Sequence, residues 1–594
     1  MKVKNTREGS IFKLLSGVKS HIGRRRIFQY VVLLLLTIIC AMAEVISLSA
    51  LVPFIGVLTN PNEVFSYELV SANAEILGIY EPEDMLLPLT VVFTGAAMFA
   101  GIMRLILLWL SIRVGNSTGA DLSTKVFKIA LHQPYSVHID RNGSEVISGI
   151  TQKVSAASGV LVSFVVIVTA SILFISILAT LIVIDPAVAL IVAITFGSFY
   201  FLIAFFTRTK LKKNSKIQAN EHTNGIRIIQ EALGSVRDII IGGLQDVFCN
   251  IYDKSIRNLQ RSRGENSFIN QAPRFIMESL GIVMIAVMSY ALSANGDGVS
   301  LILPTMGALA LGAQRLLPLL QQIYGNWSVI KGSQAQLIDV LNLLDSSIDV
   351  GISNDASQSS VQNNININNV SFKHKGDDSY IIKNINLIIK KGMSVGIVGA
   401  TGSGKSTLLD LLMCLIEPTD GTISIDGRNL TEGAKKSWQK SIAHVPQDIF
   451  LIDATIMENI AFGVPMGQID IDLVKKSASC AEIESYIDST PLKYNTIVGE
   501  AGIKLSGGQK QRIGIARALY KKADVLFLDE ATSALDNQTE KEVIKSLENG
   551  HDNLTLVMIA HRISTLQHCD NIVKLDMGNI VFSGSYQDYI HSQL

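Results

Sequence analysis

The sequence is short of charge and of the residues that make covalent or metal cross-links. Charged residues fill 17% of its 594 positions, whereas apolar residues fill 48%. Five cysteines (Cys40, Cys249, Cys414, Cys480, Cys569) are scattered without CxxC spacing or a nearby histidine cluster. That pattern excludes a disulfide framework and a zinc site and leaves them as packing residues. Net charge is missing too, since 51 basic residues balance 51 acidic ones, so no basic excess argues for nucleic acid as a partner. One globular core does not grow to this length, and the chain reads as two large units. Because the apolar excess is concentrated in residues 28–325, the first unit is expected to lie in a membrane.

Apolar runs long enough to cross a hydrocarbon core of about 30 Å lie near 28–58, 86–112, 158–184, 186–207, 274–294 and 301–324. Little more than Asp185-Pro186 separates the third from the fourth, so these two are expected to form an antiparallel hairpin. The basic start followed by LLLLTIIC and Ala41-Met42-Ala43 has the outline of a signal peptide. The length of the preceding segment and the continuation through SLSALVPFIGVL instead favour a first crossing. Lys13, Lys19, Arg24, Arg25 and Arg26, and the cluster Arg208, Lys210, Lys212, Lys213, Lys216, Arg257, Arg261 and Arg263, place those segments in the cytoplasm. The stretch 59–85 holds six acids and no Lys or Arg, which places it outside, its part from Asn62 to Tyr80 as a short surface helix or a packed cap. Both termini are therefore expected in the cytoplasm. The connections 113–157 and 208–273 read as helical stalks, with turn formers at Pro134-Tyr135 and Gly242-Gly243 marking tips suited to pass motion to the second unit.

The expected division is a cytoplasmic segment 1–27, a transmembrane domain 28–345, a Ser/Asn-rich linker 346–362 and a soluble domain 363–594. In the last, the apolar strand MSVGIVG runs into Gly399-Ala400-Thr401-Gly402-Ser403-Gly404-Lys405-Ser406-Thr407 and then the helical LLDLLMCL. This is a phosphate loop between strand and helix. Its glycines let backbone N–H groups close around phosphate oxygens, Lys405 neutralises the β and γ phosphates, and Ser406 reaches Mg²⁺. A second apolar strand, VLFLDE, ends in Asp529, placed to hold Mg²⁺, and Glu530, placed as the base for the attacking water.

Leu505-Ser506-Gly507-Gly508-Gln509, between those two motifs, resembles the signature sequence of ABC ATPases. The resemblance extends over the whole chain. Gln447 in HVPQD looks like the family's Q-loop glutamine, which contacts Mg²⁺; Thr496–Glu500 resembles the X-loop of exporters; Ser533–Asp536 looks like the D-loop; and His561 in IAHR looks like the switch histidine that contacts the γ-phosphate. Ser506, Gly507, Gly508 and Gln509 at a helix N-terminus make a second anion site. Family geometry puts that site on the opposite subunit, which implies a homodimer closing over two ATP molecules. The chain departs from the family where an aromatic residue stacks on adenine: His374 stands at that position, with Tyr380 as the alternative.

Six crossings before one cassette resemble bacterial half-transporter exporters, an α-helical membrane domain followed by an α/β P-loop domain, which implies the bacterial inner membrane. AEVISLSALVPFIGVL and ALALGAQRLLPLLQQI look most like flippases of lipid-linked oligosaccharides, which implies a polyprenyl-pyrophosphate glycan as cargo and membrane lipids as surroundings. Exporters of drugs, simple lipids or peptides, and an ATP-gated channel or regulatory protein, are the competing functions; the complete motifs argue against the last. Glu44, Arg104, Glu278 and Arg315 lie in or near crossings, where an uncompensated charge costs roughly 2.5 to 3.5 kcal/mol. Arg104 and Arg315 are candidates to attract the pyrophosphate. Alternatively each pairs with Glu44 or Glu278 inside the bundle, or reaches an interface.

Overall fold

The computed structural model describes residues 11–59, 81–184, 186–294, 299–346, 361–374, 376–430, 432–550, 553–560 and 562–593. Apart from the short segment Pro134–Ile139, the chain divides into two compact units at Ile348 and Asp349, inside the expected linker. The expected outer segment 59–85 lies mostly outside the described residues, as does His561.

The first unit is helical. A short helix, α1 (Ile11–His21), precedes α2 (Arg24–Thr59), α3 (Leu86–Leu131), α4 (Val154–Ile184), α5 (Pro186–Gly234), α6 (Gln245–Ala294), α7 (Val299–Gly332) and α8 (Gln334–Leu344). The helices α2 to α7 fall on the six apolar runs. Four segments, Arg24–Ser47, Leu86–Leu131, Gly143–Val183 and Ala189–Gly234, are long and apolar enough to cross a membrane among the described residues. At about 1.5 Å per residue, the 46 residues of α3, 49 of α5 and 50 of α6 far exceed a bilayer core. Their surplus forms the expected helical extensions. α2 runs unbroken through Ala41-Met42-Ala43, as a crossing does.

Burial separates two faces of this bundle. Cys40, Leu107, Ile177, Phe196, Met277 and Leu316 pack inside, while Leu105, Phe201, Phe206 and Ile282 are exposed, a surface that water rejects and lipid accepts. Pro273 sits inside α6. Its missing N–H frees the Ile269 carbonyl one turn earlier, and the Tyr324 hydroxyl of α7 donates to that carbonyl at 3.1 Å. The expected turn falls at Asp185, outside the described residues; α4 ends at Ile184 and α5 begins at Pro186, and α4 packs more extensively on α7 than on α5. One expectation fails: Cys249 is exposed on α6 rather than packed, while Cys40 and Cys569 are buried, and all five cysteines are free.

The second unit is α/β. A four-stranded antiparallel sheet runs β2-β1-β4-β5 and a six-stranded sheet runs β10-β9-β3-β8-β7-β6. Their strands are β1 (Asn364–Phe372), β2 (Ile382–Lys390), β3 (Ser394–Gly399), β4 (Asp420–Ile425), β5 (Arg428–Asn429), β6 (Ile442–Val445), β7 (Val525–Asp529), β8 (Thr555–Ile559), β9 (Asn571–Asp576) and β10 (Asn579–Gly584). In the larger sheet β9, β3, β8, β7 and β6 are parallel and β10 is an antiparallel edge. SVGIVG, VLFLD and TLVMI are continuous apolar runs because helices and loops cover both faces of these central strands. Three further helices position the site: α9 (Lys405–Leu412), α10 (Ile471–Cys480) and α11 (Gly507–Tyr520).

Candidate ATPase and substrate sites

Parallel strands put their carboxyl ends on one side of the sheet, and ligands bind in the crevice outside those ends. Gly399 closes β3, Asp529 closes β7, and β8 between them leads to Ala560. The loop after β3 is shaped around its glycines. A Cβ on Gly399 would come within 2.3 Å of the Leu575 carbonyl and 2.6 Å of Ser403 Oγ, and Gly402 and Gly404 have φ of +82° and +101°. Gly404 begins α9 without any side-chain cap, so the first N–H groups of that helix, from Lys405, Ser406 and Thr407, are open to an anion. Lys405 is buried and its ammonium donates to the Gly399 and Ala400 carbonyls at 3.0 and 2.9 Å. Ser403 Oγ is buried with no protein partner among the described residues. An orphaned hydroxyl, a lysine folded under the loop and a close backbone approach fit a bound polyphosphate. Thr401 and Gly402 lie on the exposed lip.

At the end of β7, Glu530 stands in the left-handed region, φ +50°. For a residue other than glycine this costs on the order of 1 to 3 kcal/mol and is met chiefly at functional sites. Its Oε2 accepts from Gln447 Nε2 at 2.8 Å, so Gln447 orients the carboxylate and keeps its own amide oxygen for another ligand. Ser406 hydroxyl, Gln447 amide oxygen and Asp529 carboxylate are hard oxygen donors of the kind Mg²⁺ prefers. Asp410, on α9, faces the same ground. Burial, with the Asp529 carboxylate beside it, pushes its carboxyl up to about 6.

Ser506 caps α11, accepting from the Gln509 N–H while the Gln509 side chain accepts from the Ser506 N–H. Gln509 is thereby a capping residue as well as part of the motif. Ser506 and Gly507 are exposed. A Cβ on Gly508 would come within 3.1 Å of the Ala534 carbonyl, so the second glycine lets Ser533–Asp536 lie against the helix start. Three residues on, Gln511 donates to Ser533 Oγ at 3.2 Å and accepts from the Ala534 N–H at 3.0 Å. Arg562, next to His561, donates to the Leu535 carbonyl and to Glu540, each at 3.0 Å. Glu540, buried, also accepts from Thr532 and Thr565 at 2.7 Å.

The two adenine-stacking candidates differ in availability. Tyr380 donates its hydroxyl to Asp420 at 2.9 Å and has the Lys373 ammonium over its ring at 5.2 Å. His374 is exposed and stands perpendicular to Phe372, ring centres 5.2 Å apart.

In the helical unit, Arg104 Nε and Arg315 Nη1 hold opposite oxygens of Glu44, at 2.8 and 2.7 Å. The Glu44 side chain is 3% exposed, those of Arg104 and Arg315 38% and 35%. Both arginines therefore choose Glu44. The alternative that each arginine pairs with an acid inside the bundle is met at Glu44, while Glu278 pairs with Arg274 one turn away on α6, at 2.7 Å. One carboxylate between two guanidiniums leaves an excess positive charge with partly exposed faces.

Two family models match the chain. Residues 27–300 match the ABC transporter transmembrane region and residues 382–533 the ABC transporter cassette. An ATP-dependent lipid A-core flippase of Shewanella denitrificans is 30% identical over 91% of this chain and 90% of its own. The chain belongs to the ABC transporter family. A second ATP-dependent lipid A-core flippase, from Ralstonia nicotianae, is 28% identical over 84% of both chains. A putative multidrug export ATP-binding/permease protein of Staphylococcus aureus is 41% identical over 39% of this chain and 40% of its own. The solved structure of a bacterial Atm1-family ABC exporter with ATP bound superposes with a TM-score of 0.76 over 96% of both chains at 24% identity, the same fold. The transporter is a multi-pass membrane protein, an ATP-driven ABC transporter whose α/β unit binds and hydrolyses ATP.

Sequence reading of the transporter missed Asp410, Gln511, Glu540 and Arg562. The first stands one and a half turns beyond Lys405, a charge in an otherwise apolar helix; the last follows His561 directly. Both positions were visible as charges in apolar surroundings, whereas Gln511 and Glu540 carry no such signal.

Proposed function

We propose that the transporter acts as a homodimer in the bacterial cytoplasmic membrane, both termini in the cytoplasm, and moves a lipid-linked saccharide outward, a polyprenyl-pyrophosphate oligosaccharide. The observation that carries this reading is the arrangement of Arg104 and Arg315 on the one carboxylate of Glu44. Its excess positive charge inside an apolar bundle suits a diphosphate, and guanidinium forks match phosphate oxygens. The two long-covering relatives named as lipid flippases support a lipid cargo.

The exposed signature start supports the homodimer. Gly507 and Gly508 offer N–H groups at the start of a 14-residue helix, the Ser506 N–H being taken by the Gln509 side chain. A second copy supplies the phosphate that this start binds. In the closed pair the loop Gly399–Thr407 cradles the phosphates, His374 stacks on adenine, and Glu530, aimed by Gln447, takes the proton of the attacking water. His561 and the partner's signature face the γ-phosphate. Ser406, Gln447 and Asp529 would hold Mg²⁺, which offsets charge on the transferred phosphoryl oxygens. The stalk turns at Pro134-Tyr135 and Gly242-Gly243 relay the closure.

The test uses transporter in nanodiscs. ATP turnover is measured with a polyprenyl-pyrophosphate saccharide and with the same lipid lacking pyrophosphate. Stimulation by the first alone, lost in Arg104→Gln/Arg315→Gln, is expected. Stimulation by hydrophobic compounds without phosphate would make it an exporter of drugs or simple lipids instead.

A further inference from the structure

The parallel strands that carry the ATP site at their carboxyl ends begin on the opposite side of the sheet, about 20 Å away at about 3.3 Å per residue. There the segments before β3, β7 and β8, together with α10, border an open cleft of about 420 Å³ lined by Lys391, Lys476, Lys522, Asp524, Leu473 and Leu554, among others. The size is that of a small-molecule site.

Its charge is unbalanced. Three lysines and one aspartate are among its lining residues, Lys476 and Lys522 exposed and Lys391 half-buried, and none of the three lysines is ion-paired among the described residues; Lys391 feels Asp426 only at longer range. The neighbouring Lys521 shows the contrast, with its ammonium bonded to the Gln439 and Ile442 carbonyls at 2.9 and 2.5 Å. Lys522, on the cleft side, stands in the left-handed region at φ +53°. Three like charges brought together from separate stretches of chain repel one another unless an anion joins them. Lysine heads serve phosphate as point charges, and Leu473 and Leu554 give a carbon skeleton an apolar wall.

We propose that this cleft binds a small organic bisphosphate, with phosphate groups on the Lys476 and Lys522 walls. Such a ligand ties α10 to the starts of β3, β7 and β8. Because α10 packs on α11, whose first residues are the signature glycines, occupancy braces the signature against the sheet. The inference is independent of the transport reading.

Fructose 1,6-bisphosphate is the probe, added to the full-length transporter in nanodiscs with a non-hydrolysable ATP analogue and Mg²⁺ filling the ATP sites. Labelling of each lysine by an amine-reactive ester is read by mass spectrometry. At twice the half-saturating concentration, labelling of Lys391, Lys476 and Lys522 should fall together by roughly two thirds, with the exposed Lys475 and Lys545 unchanged. Lys476→Gln/Lys522→Gln should raise the half-saturating concentration, read at Lys391, about tenfold, or about 1.4 kcal/mol, with basal ATP turnover kept. No selective protection up to roughly 10 mM, a weak-site limit, overturns the proposal. So does equal protection by sulfate, an adventitious ion only, or protection of Lys391 that survives the double substitution.

Discussion

Glu44→Gln removes the one carboxylate on which two arginines depend. The loss of a buried partner costs about 3 to 5 kcal/mol when the remaining charge stays buried. Here the stranded guanidiniums are 38% and 35% exposed and can turn toward water or lipid head groups, so about 2 to 3 kcal/mol is expected. Unfolding in mixed micelles by titrated SDS, followed by tryptophan fluorescence, measures it. Glu44→Gln/Arg315→Gln should recover part of the loss, since it removes one of the two repelling charges. The substrate response separates structure from function. Glu44→Gln strengthens the positive field, so the half-stimulating concentration of a pyrophosphate lipid should hold or fall even as stability drops. Arg315→Gln should raise that concentration roughly 10- to 100-fold, the worth of one hydrogen bond to a charged group. A stability loss in Arg315→Gln without any change in lipid response would reduce the cluster to packing and refute its role in cargo binding.

Glu530→Gln should keep ATP binding and lower hydrolysis by roughly 10² to 10⁴; full turnover in single-cycle assays removes Glu530 as base. Gly399→Ala should abolish nucleotide binding, measured with a fluorescent ATP analogue, because its Cβ would press within 2.3 Å of the Leu575 carbonyl; unimpaired binding would contradict the cradle. Asp410 supplies a pH test. Its carboxyl is pushed up to about 6, above its unfolded value near 4. The folded cassette therefore holds a proton that the unfolded chain releases, and that stabilisation, complete below about pH 4, is lost as pH rises through about 6. Asp410→Asn is neutral throughout, so it should raise the cassette's melting temperature at pH 8, with the gain shrinking toward pH 5. An equal gain at both values would point to packing rather than charge.

What the sequence shows well is what lies close along the chain. The phosphate loop needs strand, glycines, lysine and helix in one run, and SVGIVG to LLDLLMCL supplies them in order. The alternation of long apolar runs with basic connections likewise marks the helices, because a bilayer demands one uninterrupted apolar stretch per crossing. Pairings made through space are less visible. Nothing along the chain brings Gln511 to Ser533 or Glu540 to Arg562, since those contacts exist only once α11 and β8 are packed. Tyr380 is the conventional aromatic by type, yet its ring is covered by Lys373 and its hydroxyl is spent on Asp420.

The choice between Glu44 and Glu278 shows how far local rules reach. Arg274 and Glu278 are four apart on α6, on one helix face, and they pair; that spacing was enough to assign Glu278 a partner and withdraw it from the arginines. With Glu278 satisfied locally, the remaining intramembrane charges, among the described residues named for the crossings, are one acid and two bases on three different helices. Their only mutual compensation is incomplete. A buried carboxylate answering two guanidiniums keeps the charges tolerable in apolar surroundings while leaving, among the described residues, one excess positive charge, which is the feature that the proposed anionic cargo would answer.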